Sequence, residues 1–228
     1  MMDSTAATSE TRRPLMLAAA CAVLAIMCYV VFVRTTSGKV IDDDILQSTL
    51  RMAADTGAGT FTSWPLAIPA STLLLVAVVL VIGFGAAQQR WLDVSAALAI
   101  LACATLLAHL LKSLLVRPQL LPGVDDAGNS FPSGHVSLAA ASMLALAIVV
   151  PAVLRPTVLL LGWVWIGAVS VATVIAGWHR PSDAVGAIAV ALASYGVLVA
   201  LRNQARVVLA VREPAAVAEL DRRPLAVR

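Results

Sequence analysis

Six apolar stretches, each long enough to cross a bilayer as a helix, govern what this chain can fold into. They run Leu15–Val33, Pro65–Ala87, Trp91–Leu111, Val136–Val153, Thr157–Gly177 and Ala184–Leu201. A hydrocarbon core of roughly 30 Å needs about 20 helical residues. In lipid every backbone N–H must find an internal partner, so these runs are expected to be helical. Composition agrees: 60% of the 228 residues are hydrophobic and 13% are charged, whereas soluble domains carry about 25% charged residues. The expected fold is all-α, a polytopic six-transmembrane-helix bundle. The three cysteines, Cys21, Cys28 and Cys103, lie inside apolar runs and read as small buried hydrophobes.

The amino terminus contains two fragments of export signals. Thr11-Arg12-Arg13 weakly resembles a twin-arginine motif, and Leu17–Cys21 a lipoprotein cleavage site. The apolar run continues past Cys21 to Val33, which favours an uncleaved first helix. Basic residues then set the orientation. With the amino terminus inside, ten basic residues face the cytoplasm: Arg12, Arg13, Arg90, Arg155, Arg202, Arg206, Arg212, Arg222, Arg223 and Arg228. Six face outward: Arg34, Lys39, Arg51, Lys112, Arg117 and Arg180. Residues 1–14 are thus expected to form a cytoplasmic tail, 15–201 the membrane domain, and 202–228 an arginine-rich cytoplasmic tail touching anionic lipid. The outer segment Arg34–Trp64 is expected to hold a helix lying on the membrane, capped by Asp42-Asp43-Asp44 and burying Ile45, Leu46, Thr49, Leu50 and Ala53.

Three polar clusters fall on the outer side of this topology: Lys112–Pro118, Asn129–His135 and Gly177–Asp183. Pro132 suits the first turn of a helix, and Ser133 and Gly134 would present backbone N–H groups and a hydroxyl there to an anion. His135 stands where it can protonate a leaving oxygen. Lys112 and Arg117 bring fixed positive charge to phosphoryl oxygens, Arg117 in a bidentate manner. His179 is the candidate nucleophile, with Asp183 four residues later fixing its tautomer, and the product would be a phosphohistidine released by water. No carboxylate cluster suggests a metal site, so metal-independent hydrolysis without a cofactor is expected. His109, one turn before Lys112, reads as a packed or supporting residue. Asp125 and Asp126 read as solvated turn residues, and Trp64, Trp91 and Trp178 as interfacial aromatics.

These clusters resemble the signature of the type 2 phosphatidic acid phosphatase (PAP2) superfamily: K-x6-RP, then PSGH, then SR-x5-H-x3-D. Pro132–His135 supplies the second motif complete, and His179 with Asp183 matches the H-x3-D of the third. The resemblance implies His179 as nucleophile and His135 as general acid. It also implies phosphate binding by Lys112, Ser133 and Gly134, with Asp183 supporting His179. Two positions depart from the pattern. Gln119 stands where the first-motif arginine is expected, with Arg117-Pro118 two positions earlier. Ala172-Thr173 stands where Ser-Arg is expected, which leaves Arg180 as a candidate replacement.

The expected activity is that of a phosphoric ester hydrolase acting on a phosphomonoester or diphosphate lipid at the outer face of the cell membrane. Isoprenoid (di)phosphates, phosphatidic acid and phosphatidylglycerol phosphate all fit this reading. The bilayer is the other expected partner; nucleic acid is not. Two rivals remain, a lipid phosphotransferase with the same intermediate and a non-catalytic lipid-binding scaffold. Vanadium haloperoxidases share the anion site, but so small an outer portion argues against them.

Overall fold

The computed structural model describes residues 4–57, 64–120 and 128–221. All of their regular structure is helical: α1 (Ser4–Cys28), α2 (Thr36–Thr56), α3 (Trp64–Ala67), α4 (Ala70–Ala87), α5 (Trp91–Leu114), α6 (Gly134–Val149), α7 (Arg155–Ile175) and α8 (Pro181–Asp221). Asp125, Asp126, Arg222, Arg223 and Arg228 lie outside the described residues. Five helical stretches are long and apolar enough to cross a membrane: 10–33, 70–87, 91–114, 152–175 and 181–210. Their outward faces carry many exposed leucines, valines and isoleucines, Leu75, Leu106, Leu160 and Val164 among them. Lipid tails are the natural environment for such surfaces.

The remaining apolar helix, α6, has only 16 residues, or about 24 Å at 1.5 Å per residue. It stops at Val149, short of the expected Val153, because Pro151 cannot continue the ladder. Helix α6 is buried on nearly every side, from Val136 through Ala139–Ala141 and Met143–Ala145 to Ile148. It packs against α4, α5, α7 and α8. A helix apolar all round belongs in the middle of a bundle. Its neighbours, rather than lipid, define its length.

Three other sequence expectations change in detail. The second apolar stretch breaks at Ile68–Pro69, leaving the short α3 before α4. Pro69 has no N–H to give and its ring crowds the preceding turn. Helix α3 docks on α7 with the rings of Trp64 and Trp165 5.4 Å apart. The last helix continues through Leu201 to Asp221 and has 41 residues. Finally, the Asp42–Asp44 triplet does not cap α2. That helix begins about two turns earlier, where the Thr35 side chain accepts the Gly38 N–H at 3.1 Å. Asp42 therefore lies inside the helix, 2% exposed, on a buried stripe with Gly38, Lys39, Leu46 and Ala53.

The two ends of the bundle differ. At one end Asp93, 1% exposed, gathers Arg90, Arg202 and Arg206, the last at 2.5 Å. Arg90 and Gln88 also donate to the Ile148 and Val149 carbonyls, which closes the carboxyl end of α6. The opposite end gathers the three polar clusters. Helix α1 runs along α8, and a side chain on Gly196 would collide with the Pro14 carbonyl and Ala18. Small residues allow membrane helices this close approach. Gly196→Leu is therefore expected to lower the thermal unfolding temperature in detergent by several degrees, measured against wild type; Gly83→Leu, where a side chain would meet open space, is expected to leave it near the wild-type value.

Candidate active site

Helix α7 ends in a turn that aims the third cluster back at the bundle. Gly177 adopts φ +71°, and the Thr173 carbonyl accepts the N–H groups of Trp178 and His179 at 3.0 and 3.3 Å. Glycine reaches the left-handed region without strain, which makes it the usual residue after a helix end. Pro181 then opens α8. The turn leaves His179 just before the helix and Asp183 in its first turn, on the same side.

Asp183 is the centre of the site. It is fully buried, and its Oδ1 receives Arg117 Nη2 at 2.6 Å. Its Oδ2 receives the Ser130 hydroxyl at 2.6 Å and the Arg180 backbone N–H at 2.9 Å. The Nδ1 of His179 lies 3.4 Å from the same oxygen. The Asp183 backbone carbonyl accepts the Ser133 N–H at 3.1 Å, which ties the start of α6 to the start of α8. Ser137 Oγ reinforces that tie through the Ala187 carbonyl at 3.3 Å.

A cavity of about 830 Å³ opens in front of this network. Lys112, His109, Gly134, His135, Trp178 and His179 line its polar part. Ala70, Ser71 and Leu74 of α4, Thr105 and Leu106 of α5, and Leu138 of α6 form an apolar wall. His179 is 5% exposed. His135 packs against Trp178 with ring centroids 5.7 Å apart. Helix geometry leaves the N–H groups of Gly134 and His135 without intrahelical partners at the start of α6.

The structure thus brings Lys112, Gly134, His135 and His179 to one cavity, with Asp183 directly behind. Three other expected phosphate ligands do not line the cavity. Ser133 is fully buried, its N–H given to Asp183 and its Oγ accepting the Val136 N–H at 3.5 Å, so it caps α6. Arg117 does not line the cavity but pairs with Asp183, and its Nε and Nη1 are buried without a protein partner. Arg180 pairs with Asp43 of α2 and is not part of the cavity wall.

Helix α2 supplies what the sequence reading missed. Asp42 Oδ1 accepts the Ser182 N–H at 3.0 Å, and its Oδ2 accepts the Ser182 hydroxyl at 2.5 Å. Burial pushes the Asp42 carboxyl above the ordinary carboxylate range, despite the two bonds from Ser182 that act the other way. A signal was present: the apolar stripe that buries Leu46 and Ala53 passes through Lys39 and Asp42. Charges on a buried face are costly unless paired. His109 also proves to face the cavity, its Nδ1 2.8 Å from the Thr105 carbonyl.

The Arg117–Asp183 pair has both side chains fully buried. Removing one member of such a pair leaves an uncompensated charge and costs about 3–5 kcal/mol. Arg117→Ala is accordingly expected to destabilise the protein by about that amount, read as loss of thermal and denaturant resistance in detergent.

Comparison with known proteins accords with this geometry. Residues 93–206 match the family model described as the PAP2 superfamily. No curated protein matches the chain. Among solved structures, it is similar to one described as the first transmembrane PAP2 type phosphatidylglycerolphosphate phosphatase, from Bacillus subtilis. The TM-score is 0.60 at 22% identity, covering 81% of this chain and 93% of that one. That likeness supports the all-helical membrane fold. With half of its length matched by the family model, including all three polar clusters from Lys112 to Asp183, the chain belongs to the PAP2 superfamily.

Proposed function

We propose that this protein is an integral membrane lipid phosphatase that hydrolyses a headgroup phosphomonoester or diphosphate through a phosphohistidine. The observation that carries the reading is the joint placement of His179, His135 and Lys112 around one cavity whose other wall is apolar. A phosphate can meet the polar part while a hydrocarbon chain lies along Leu74, Leu106 and Leu138.

The chemistry follows from the arrangement. Asp183 accepts the Nδ1 proton of His179 and leaves the Nε2 lone pair free to attack phosphorus. Lys112 and the N–H groups at the start of α6 stabilise charge on the phosphoryl oxygens. As the phosphorus–oxygen bond to the lipid breaks, His135 gives its proton to the leaving oxygen. A water molecule, deprotonated by His135, then attacks the phosphohistidine; phosphate leaves and His179 is regenerated. Arg117 supports this cycle from behind by holding Asp183 charged.

The same reading counts α6 as a sixth membrane-crossing helix, shielded by its neighbours. The arginine-rich end then lies in the cytoplasm and the cavity on the outer face, as the distribution of basic residues favours.

Phosphate release by purified protein in detergent, from a panel of lipid phosphates with EDTA present, tests the reading. His179→Ala is expected to abolish release, and release at the wild-type rate would remove His179 as nucleophile. His135→Ala is expected to lower kcat by about 10²–10⁴-fold. Vanadate, which adopts the geometry of pentacoordinate phosphorus, is expected to compete with substrate; indifference to millimolar vanadate would count against the anion site.

A further inference from the structure

The loop that carries the proposed nucleophile is held from outside its own helices. Two adjacent carboxylates of α2 grip the two residues that flank Pro181. Asp43 pairs with the Arg180 side chain. Asp42 accepts both the backbone N–H and the hydroxyl of Ser182, across 140 residues of sequence. Helix α2 is itself fixed at its start by the Thr35 cap, and by Gly38 pressed against the Val31 carbonyl so closely that no side chain would fit. A helix resting on the membrane surface would turn its carboxylates to water and headgroups. Asp42 is instead 2% exposed, and Lys39, one turn before it, is fully buried.

This grip acts where the reaction needs accuracy. His179 and Asp183 lie on either side of the gripped pair, and their contact is already long at 3.4 Å. A small rotation of the turn would break that contact and swing the imidazole away from the line of attack. Arg117 and the Ser133 N–H hold Asp183 from the bundle side, one residue beyond the gripped pair. The α2 carboxylates supply the restraint on that pair from the outer side.

We propose that Asp42 is a positioning residue for phosphoryl transfer, clamping Ser182 so that His179 and Asp183 keep their alignment toward the cavity. The proposal rests on the phosphatase reading above. Asp42 touches neither the cavity nor substrate, so its removal acts on the aim of His179 and not on the groups that bind phosphate. The expected signature is a fall in kcat with KM nearly unchanged.

The experiment compares Asp42→Ala, Asp42→Asn and Asp44→Ala with wild type. Asp44 is the exposed neighbour on the same helix. Kinetic constants are taken per folded protein, and hydrogen exchange is followed at the amides of residues 177–180, 182 and 183. Asp42→Ala is expected to lower kcat by about 10- to 100-fold, since displacements near 1 Å cost that much, and to speed exchange in that segment. Asp42→Asn keeps an acceptor for the Ser182 N–H and is expected to recover most of kcat and of the protection. Asp44→Ala is expected to match wild type in both readouts. Unchanged kcat and exchange in Asp42→Ala would overturn the proposal, as would a loss of rate explained wholly by a smaller folded fraction. If wild type itself releases no phosphate from any lipid, the phosphatase reading fails on its own. The exchange measurement then still decides the clamp, and protection retained in Asp42→Ala overturns it.

Discussion

A single buried carboxylate, that of Asp183, is the point on which the cavity end of this bundle is assembled. It accepts Arg117, Ser130 and the Arg180 backbone, stands beside His179, and through its own carbonyl holds Ser133. These partners come from the extended stretch after α5, the approach to α6, the α7–α8 turn and the start of α6. A carboxylate without water needs partners to stay charged. Here those partners come from every segment that must converge. The electrostatic requirement and the geometric one are therefore met by the same contacts, and the network leaves one imidazole facing an open cavity.

Most of the architecture could be read from the sequence because lipid permits few solutions. Apolar runs of about 20 residues with no hydrogen-bonding alternative must be helices, and turn residues with histidines at their ends must meet water or substrate. The cavity residues Lys112, Gly134, His135 and His179 were legible for that reason, as was Asp183. What could not be read was the direction in which long side chains reach. Arg117 and Arg180 each stand within two residues of a family motif position, yet each turns to a carboxylate rather than to the cavity. Ser133 caps α6 through its Oγ. Spacing along the chain gives a residue's address, while its partner depends on which charges other segments bring nearby.

Helix α2 illustrates the same limit. Three consecutive aspartates before an apolar run have the composition of a helix start, and Thr35 had no feature to set it above them. The structure chooses Thr35 because Asp42 and Asp43 are needed elsewhere: buried carboxylates find their best donors at the α7–α8 corner. Local propensity gave way to tertiary contacts. The short α6 follows similar logic. Its length conflicts with a lipid-facing helix but not with one enclosed by four neighbours.

The long sequence distance between Asp42 and Ser182 bears on how such a chain comes into being. A polypeptide enters the membrane from its amino end, and α8 follows every other helix among the described residues. Until then Arg117 lacks the Asp183 carboxylate, Asp42 lacks Ser182, and His179 lacks Asp183. A partly inserted chain therefore carries Lys112 and His135 before His179 and Asp183 join them at the cavity. The cavity end is completed only when this late helix closes on contacts that α2 and the stretch after α5 already carry.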